Sequence, residues 1–83
     1  MKITVKLFAT LGDLLPEEAR ANAFDIDIPD GTTPNQVIDQ LKVPRKMAHL
    51  ILLNGVYVEV SDRDRPVINN GDAFAVWPPV AGG

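Results

Sequence analysis

The chain has 83 residues, enough for a single domain that buries roughly 60 to 65% of its unfolded surface and too few for two. Hydrophobic residues make up 46%, charged residues 23%, and the formal net charge is −3, the balance of an ordinary globular chain rather than a disordered or fibrous one. Lys2, Lys6, Arg20, Lys42, Arg45, Lys46, Arg63 and Arg65 are scattered, so no basic face is indicated that would neutralise nucleic-acid phosphates.

There is no cysteine, which removes disulfides, thiolate metal ligands, iron–sulfur ligation and thiol nucleophiles together. No run approaches the roughly 20 apolar residues needed to span a bilayer, and Met1-Lys2 leads straight into a strand pattern rather than a signal peptide. A cytoplasmic protein with no membrane partner is the expectation.

In chain order, Lys2 to Phe8 alternates strictly. Ile3, Val5 and Leu7 share one face, and Lys2, Thr4, Lys6 and Phe8 the other, as in a half-buried strand. From Ala9 to Asn22, Leu11, Leu14 and Leu15 suggest a helical turn that Gly12 and Pro16 interrupt, followed by an acidic loop through Glu17 and Glu18. Ala23 to Ile28 alternates again, with Phe24, Ile26 and Ile28 inward and Asp25 and Asp27 outward. Pro29-Asp30-Gly31 stops it with strong turn chemistry.

The best-signalled helix follows. Thr33-Pro34-Asn35-Gln36 supplies a capping threonine, a proline at the first helical position and a glutamine at the third. Val37, Ile38 and Leu41 form the apolar stripe, and Val43-Pro44 is expected to end the run. Met47 to His49 turns into an apolar strand, Leu50 to Leu53, interrupted by Asn54-Gly55. That pair between apolar runs is the strongest short hairpin signal, because both residues tolerate positive φ. The return strand places Val56, Val58 and Val60 on one face and Tyr57 and Glu59 on the other.

Ser61 to Pro66 alternates in charge and reads as a solvated loop. A second turn, Asn69-Asn70-Gly71-Asp72, leads into Ala73 to Trp77. Strands alternating in this way, with one main helix, describe an α+β domain: a mixed sheet of four to five strands with the helix crossing one face. The boundary falls after Trp77, giving a folded domain over 1–77 and a flexible tail over 78–83.

The tail, Pro78-Pro79-Val80-Ala81-Gly82-Gly83, is where function is expected. A main-chain carboxylate on Gly83, with no side chain at Gly82 either, can thread a narrow tunnel in another protein, while the two prolines limit folding back. At its base, Phe8, Tyr57 and Trp77 fall out of phase with the core stripe and would form an exposed aromatic patch suited to binding. No phosphate-binding glycine motif is present. His49 has no second histidine or cysteine to complete a metal site or triad and reads as a surface residue. The chain is not expected to catalyse alone, hold a metal or bind a cofactor.

The pattern from Val5-Lys6-Leu7-Phe8-Ala9 through Asn54-Gly55 and Gly71-Asp72 to Pro78-Pro79-Val80-Ala81-Gly82-Gly83 resembles the ubiquitin-like sulfur carriers. Within these it looks most like the small subunit of molybdopterin synthase. The resemblance implies a β-grasp fold and a terminal glycine, here Gly83, that an ATP-dependent activating enzyme adenylates before conversion to a thiocarboxylate. It also implies a large catalytic synthase subunit into which the tail inserts to deliver sulfur to a pterin precursor. In that picture Gly82 gives access, Pro78, Pro79, Val80 and Ala81 line the insertion path, and Phe8, Tyr57 and Trp77 match the docking surface of a carrier that is monomeric when free. ATP is used by the activating enzyme and not held by this chain.

The sequence departs from that family at Gly12 and Pro16, where a clean helix is usual, and at Trp77, where phenylalanine or leucine is commoner. These changes suit a carrier with a different large partner, for instance one serving tungsten enzymes. The thiamin-pathway carrier also ends in Gly-Gly but generally lacks Pro-Pro-Val before it. A ubiquitin-like modifier would use the same activated Gly83 to join lysines of target proteins.

Overall fold

The computed structural model describes residues 1–8 and 23–79. The interrupted helical turn read between Ala9 and Asn22, and Val80, Ala81, Gly82 and Gly83 of the tail, lie outside them. The described residues form five strands: β1 (Lys2–Leu7), β2 (Ala23–Asp27), β3 (Leu50–Leu53), β4 (Val56–Tyr57) and β5 (Ala73–Trp77), with one α-helix, α1 (Pro34–Gln40). The sheet order is β2-β1-β5-β3-β4. Both termini of the domain therefore lie in its centre, with β1 parallel to β5 and every other pairing antiparallel. This mixed sheet with a single helix on one face is a β-grasp fold.

Period-two alternation places Ile3, Val5 and Leu7 of β1, Phe74 and Val76 of β5 and Ile51 of β3 on one face. All six are at most 1% exposed. Val37 and Ile38 of α1 close over them, both fully buried, with Leu41 packed at the margin. Burying a side chain of this size contributes about 1.5–3 kcal/mol, so this layer is the main stabilising term of a small domain. On β2, Phe24 and Ile26 pack partly against the core, whereas Asp25 and Asp27 face water; Ile28, just past the strand, is buried. Charges on this outer strand discourage pairing with another sheet edge.

The capping box of α1 is complete. The Gln36 amide donates to Thr33 Oγ1 at 3.2 Å, and the Thr33 amide donates to Gln36 Oε1 at 2.9 Å. At the other end the helix stops earlier than Val43-Pro44 suggests. Lys42 has φ 61°, its amide donates to Asp39 O, and the Val43 amide donates to Ile38 O at 3.1 Å. These bonds form a Schellman motif with lysine in the left-handed position usually given to glycine. Val43 and Ile38, both buried, supply the hydrophobic contact that accompanies such an ending. Next comes a 3-10 turn over Arg45–Met47.

The hairpin turn behaves as its sequence indicates: Asn54 and Gly55 have φ 52° and 83°. Asn54 also ties the hairpin to the second turn, donating from Nδ2 to Asp72 at 2.8 Å and accepting from the Ala73 amide at 2.9 Å. The return strand differs from expectation. Paired residues on β4 end at Tyr57, and the chain then leaves the sheet for a 3-10 turn over Val60–Asp62. Only Val58 of the three valines is buried; Val56 and Val60 are 68% and 69% exposed. Alternation holds only while a strand stays paired, and Val56 stands at the free edge.

Candidate functional site

The tail leaves from β5, the central strand, so its root is held from both sides. The Phe8 amide donates to Val76 O at 3.1 Å from the β1 side, and the His49 amide donates to Trp77 O at 3.0 Å from the β3 side. Pro78 is buried against the domain and Pro79 is exposed. Of the two prolines, Pro79 alone offers surface.

Parallel register sets Leu7 beside Val76, which brings Phe8 beside Trp77 on the face opposite α1. Their rings stack with centroids 4.0 Å apart and an interplanar angle of 0°. Both are half-buried. Tyr57, 42% exposed, lies on the same face two strands away, and it does not touch the stack. Leu50 opposite Trp77, and Leu52 opposite both Ala75 and Tyr57, bridge the gap. The patch is therefore an aromatic pair at the tail root continued by two leucines to a tyrosine at the edge.

Leu50 and Leu52 are absent from the residues that sequence reading selects for this surface. The signal was present: a two-residue Asn54-Gly55 turn pairs Leu53 with Val56 and hence Leu52 with Tyr57. The even-numbered residues of β3 must then share the face of Tyr57. An apolar run carries no alternation of its own to reveal this.

The charged stretch Ser61–Pro66 is not wholly solvated. Arg63 is only 7% exposed. Its Nη1 donates to Ala48 O at 2.9 Å, Nη2 to His49 O at 3.1 Å and Nε to Val58 O at 3.3 Å. Its guanidinium carbon stands 5.9 Å from the Tyr57 ring centroid, and its own carbonyl accepts from the Asn35 amide at 2.9 Å. A buried guanidinium satisfies carbonyls that no strand partner reaches, which alternating charge in the sequence does not disclose. The neighbouring Asp62, Asp64 and Arg65 remain polar surface, with Asp64 accepting from Asn35 Nδ2 at 2.9 Å.

His49 is exposed. Among the described residues, no group of three or more His, Cys, Asp or Glu side chains could hold a metal ion. One open depression, lined by Pro29, Asp30, Gly31, Thr32, Gln36 and Gln40, contains a hydroxyl, but Thr32 Oγ1 donates to Pro29 O at 2.6 Å. A second, apolar cleft of about 180 Å³ lies under the free edge of β4, between Leu53, Val56 and Val67. Neither assembles a nucleophile with a base. Among the described residues, the tail root is fixed in the sheet beside a half-buried apolar strip that ends in the exposed Tyr57.

With this geometry the comparisons agree. The fold is that of ubiquitin-like proteins, and the chain belongs to the Mut7-C ubiquitin family, whose profile matches residues 1–82. Comparison with curated protein sequences returns no match. Among solved structures, the Haloferax volcanii HVO 2177 protein is 24% identical with TM-score 0.79, over 100% of this chain and 87% of that one. A putative molybdopterin converting factor, subunit 1, from Pyrococcus furiosus is 27% identical with TM-score 0.66, over 95% and 98%. Small archaeal modifier protein 1 of H. volcanii is 20% identical with TM-score 0.68, over 95% and 98%. These likenesses establish a ubiquitin-like fold. In addition, no helix among the described residues is long and apolar enough to cross a membrane.

Proposed function

We propose that this chain is a sulfur carrier whose Gly83 carboxylate is activated and thiocarboxylated, and that it donates sulfur in molybdopterin synthesis as the small partner of a larger catalytic subunit. The observation that carries the proposal is the Phe8–Trp77 stack at the root of the Pro-Pro-Val-Ala-Gly-Gly tail. It supplies an apolar anchor beside the point from which a narrow, unbranched C-terminus would extend. The likeness to a molybdopterin converting factor subunit 1 supports the pathway and, through the word subunit, a larger partner.

The chemistry requires activation because a carboxylate has no leaving group. A Gly83 oxygen attacks the α-phosphorus of ATP held by the activating enzyme, forming an acyl adenylate and releasing pyrophosphate. Hydrosulfide or an equivalent sulfur nucleophile then adds to the carbonyl carbon and expels AMP, leaving a thiocarboxylate. This chain contributes a carboxyl group, access through Gly82, and a docking face of Phe8, Trp77, Leu50, Leu52 and Tyr57. Pro79, Val80 and Ala81 would span the path to the partner's active site. A carrier without other catalytic groups would work in the cytoplasm as a monomer between encounters.

The test is transfer. The thiocarboxylated chain, mixed with a molybdopterin synthase large subunit and the pterin precursor, should yield the dithiolene product and return to the carboxylate form. Sulfur transfer to a thiazole precursor instead would assign it to thiamin synthesis. Thiol-resistant conjugates with lysines of other proteins would assign it to protein modification, the reading suggested by the likeness to small archaeal modifier protein 1.

A further inference from the structure

The carrier reading uses the tail and the apolar strip but leaves a buried cation unexplained. Arg63 is remote in sequence from Trp77, yet two hydrogen bonds join them. Arg63 Nη2 donates to the His49 carbonyl at 3.1 Å, and the His49 amide donates to the Trp77 carbonyl at 3.0 Å. Nη1 fixes the preceding peptide through Ala48 O at 2.9 Å. The same guanidinium meets Val58 O at 3.3 Å and lies 5.9 Å from the Tyr57 ring. One side chain therefore reaches the segment entering β3, the segment leaving β4 and, through His49, the carbonyl immediately before Pro78.

We propose that Arg63 is a positioning residue that sets the direction in which the tail leaves the sheet; the consequence for turnover rests on the carrier function proposed above. Arginine suits the role because a planar fork can meet three carbonyls at fixed angles while remaining charged, whereas lysine offers one rotating ammonium. Pro78 is buried, so a change in the Trp77 carbonyl plane passes to the tail through a residue with little freedom of its own. Reaction rates fall on the order of a hundredfold for a misplacement of about 1 Å at the reacting centre. A rotation at the root would change the direction in which Pro78 and Pro79 start the tail toward that centre.

The test compares wild type, Arg63→Lys and Arg63→Met by two measurements. Amide hydrogen exchange on the free protein reads the tie itself. In Arg63→Met the His49 amide should exchange at least about tenfold faster, relative to wild type, than the Phe8 amide, which bonds Val76 on the opposite side of β5. Kinetics of Gly83 thiocarboxylation, measured where all three proteins remain folded by circular dichroism, read the consequence. kcat should fall about tenfold or more in Arg63→Met while KM changes less than about threefold, with Arg63→Lys intermediate. Equal acceleration of His49 and Phe8 would overturn the proposal, as would selective acceleration with unchanged kcat. Failure of the carrier function is read separately, from a wild type that accepts no sulfur.

Discussion

Phe8 and Trp77, at opposite ends of the chain, stack in parallel with ring centroids 4.0 Å apart because β1 and β5 are adjacent parallel strands. Such a pair contributes about 0.5–1.5 kcal/mol beyond area burial. A double-mutant cycle with Phe8→Ala and Trp77→Ala should return a coupling of that size in chemical denaturation; a coupling near zero would mean the rings do not stabilise one another. Replacing Trp77 by Glu should also weaken binding to the large subunit or activating enzyme by at least about 2 kcal/mol, as for a central aromatic anchor. Calorimetry showing undiminished affinity would remove the stack from the docking face.

The core layer makes a second prediction. Leu7 is 1% exposed and belongs to the cluster containing Val37, Ile38, Phe74 and Val76. Leu7→Ala should cost about 2–5 kcal/mol, a large share of the stability of a domain this small. A thermal midpoint that does not move would place Leu7 elsewhere.

At the end of α1, Lys42 holds φ 61°, a region that costs a residue with a Cβ roughly 1–2 kcal/mol. Glycine relieves that cost but loses more entropy on folding. Lys42→Gly should stabilise the protein by about 0.5–1 kcal/mol, seen as a higher denaturation midpoint. A lower midpoint would show that the lysine side chain contributes more than its strained backbone costs.

Acid should act in a defined direction on Asp39. Two hydrogen bonds from Arg45, at 3.1 and 2.8 Å, hold its carboxyl below the ordinary value of 3.8, opposed by slight desolvation and aided by the charge of Arg45. A depressed folded value means stability that is present above the ordinary value and lost as pH falls through the lowered one. Both side chains are more than half exposed, so the contribution is small and screened by salt. The midpoint of Asp39→Asn should lie slightly below wild type at neutral pH, and the gap should close below pH 3.8. A gap that stays constant into acid would mean the ion pair is not its cause.

Much of the fold was legible in the sequence because local signals and global topology coincide there. Alternation in Ile3/Val5/Leu7 and Phe74/Val76, the Thr33-Pro34-Gln36 cap and the Asn54-Gly55 turn each correspond to the structure. What was not legible depends on long-range pairing. Val56 lies on the edge strand β4 and Val60 in the 3-10 turn beyond it, so both remain exposed although their spacing suits a buried face. Arg63 sits in a run of alternating charge, and only three carbonyls from elsewhere in the chain make it interior. Lys42 ends the helix without glycine because the buried Ile38–Val43 pair compensates for the strained backbone. At the candidate site, Phe8 and Trp77 follow from strand phase, but Leu50 and Leu52 require the hairpin register.

The most direct test concerns Gly83. Intact mass spectrometry and terminal fragmentation after incubation with the activating enzyme, ATP and a sulfur donor should show one oxygen-to-sulfur exchange, localised to Gly83. Deleting Gly83 withdraws the end by one residue, about 3.3–3.6 Å when extended, which should abolish productive sulfur transfer while leaving the circular dichroism spectrum unchanged. The result that would contradict the sulfur-carrier function is a wild-type chain that gains no such mass where an established carrier is modified, or normal turnover by the authentic partner with a chain lacking Gly83.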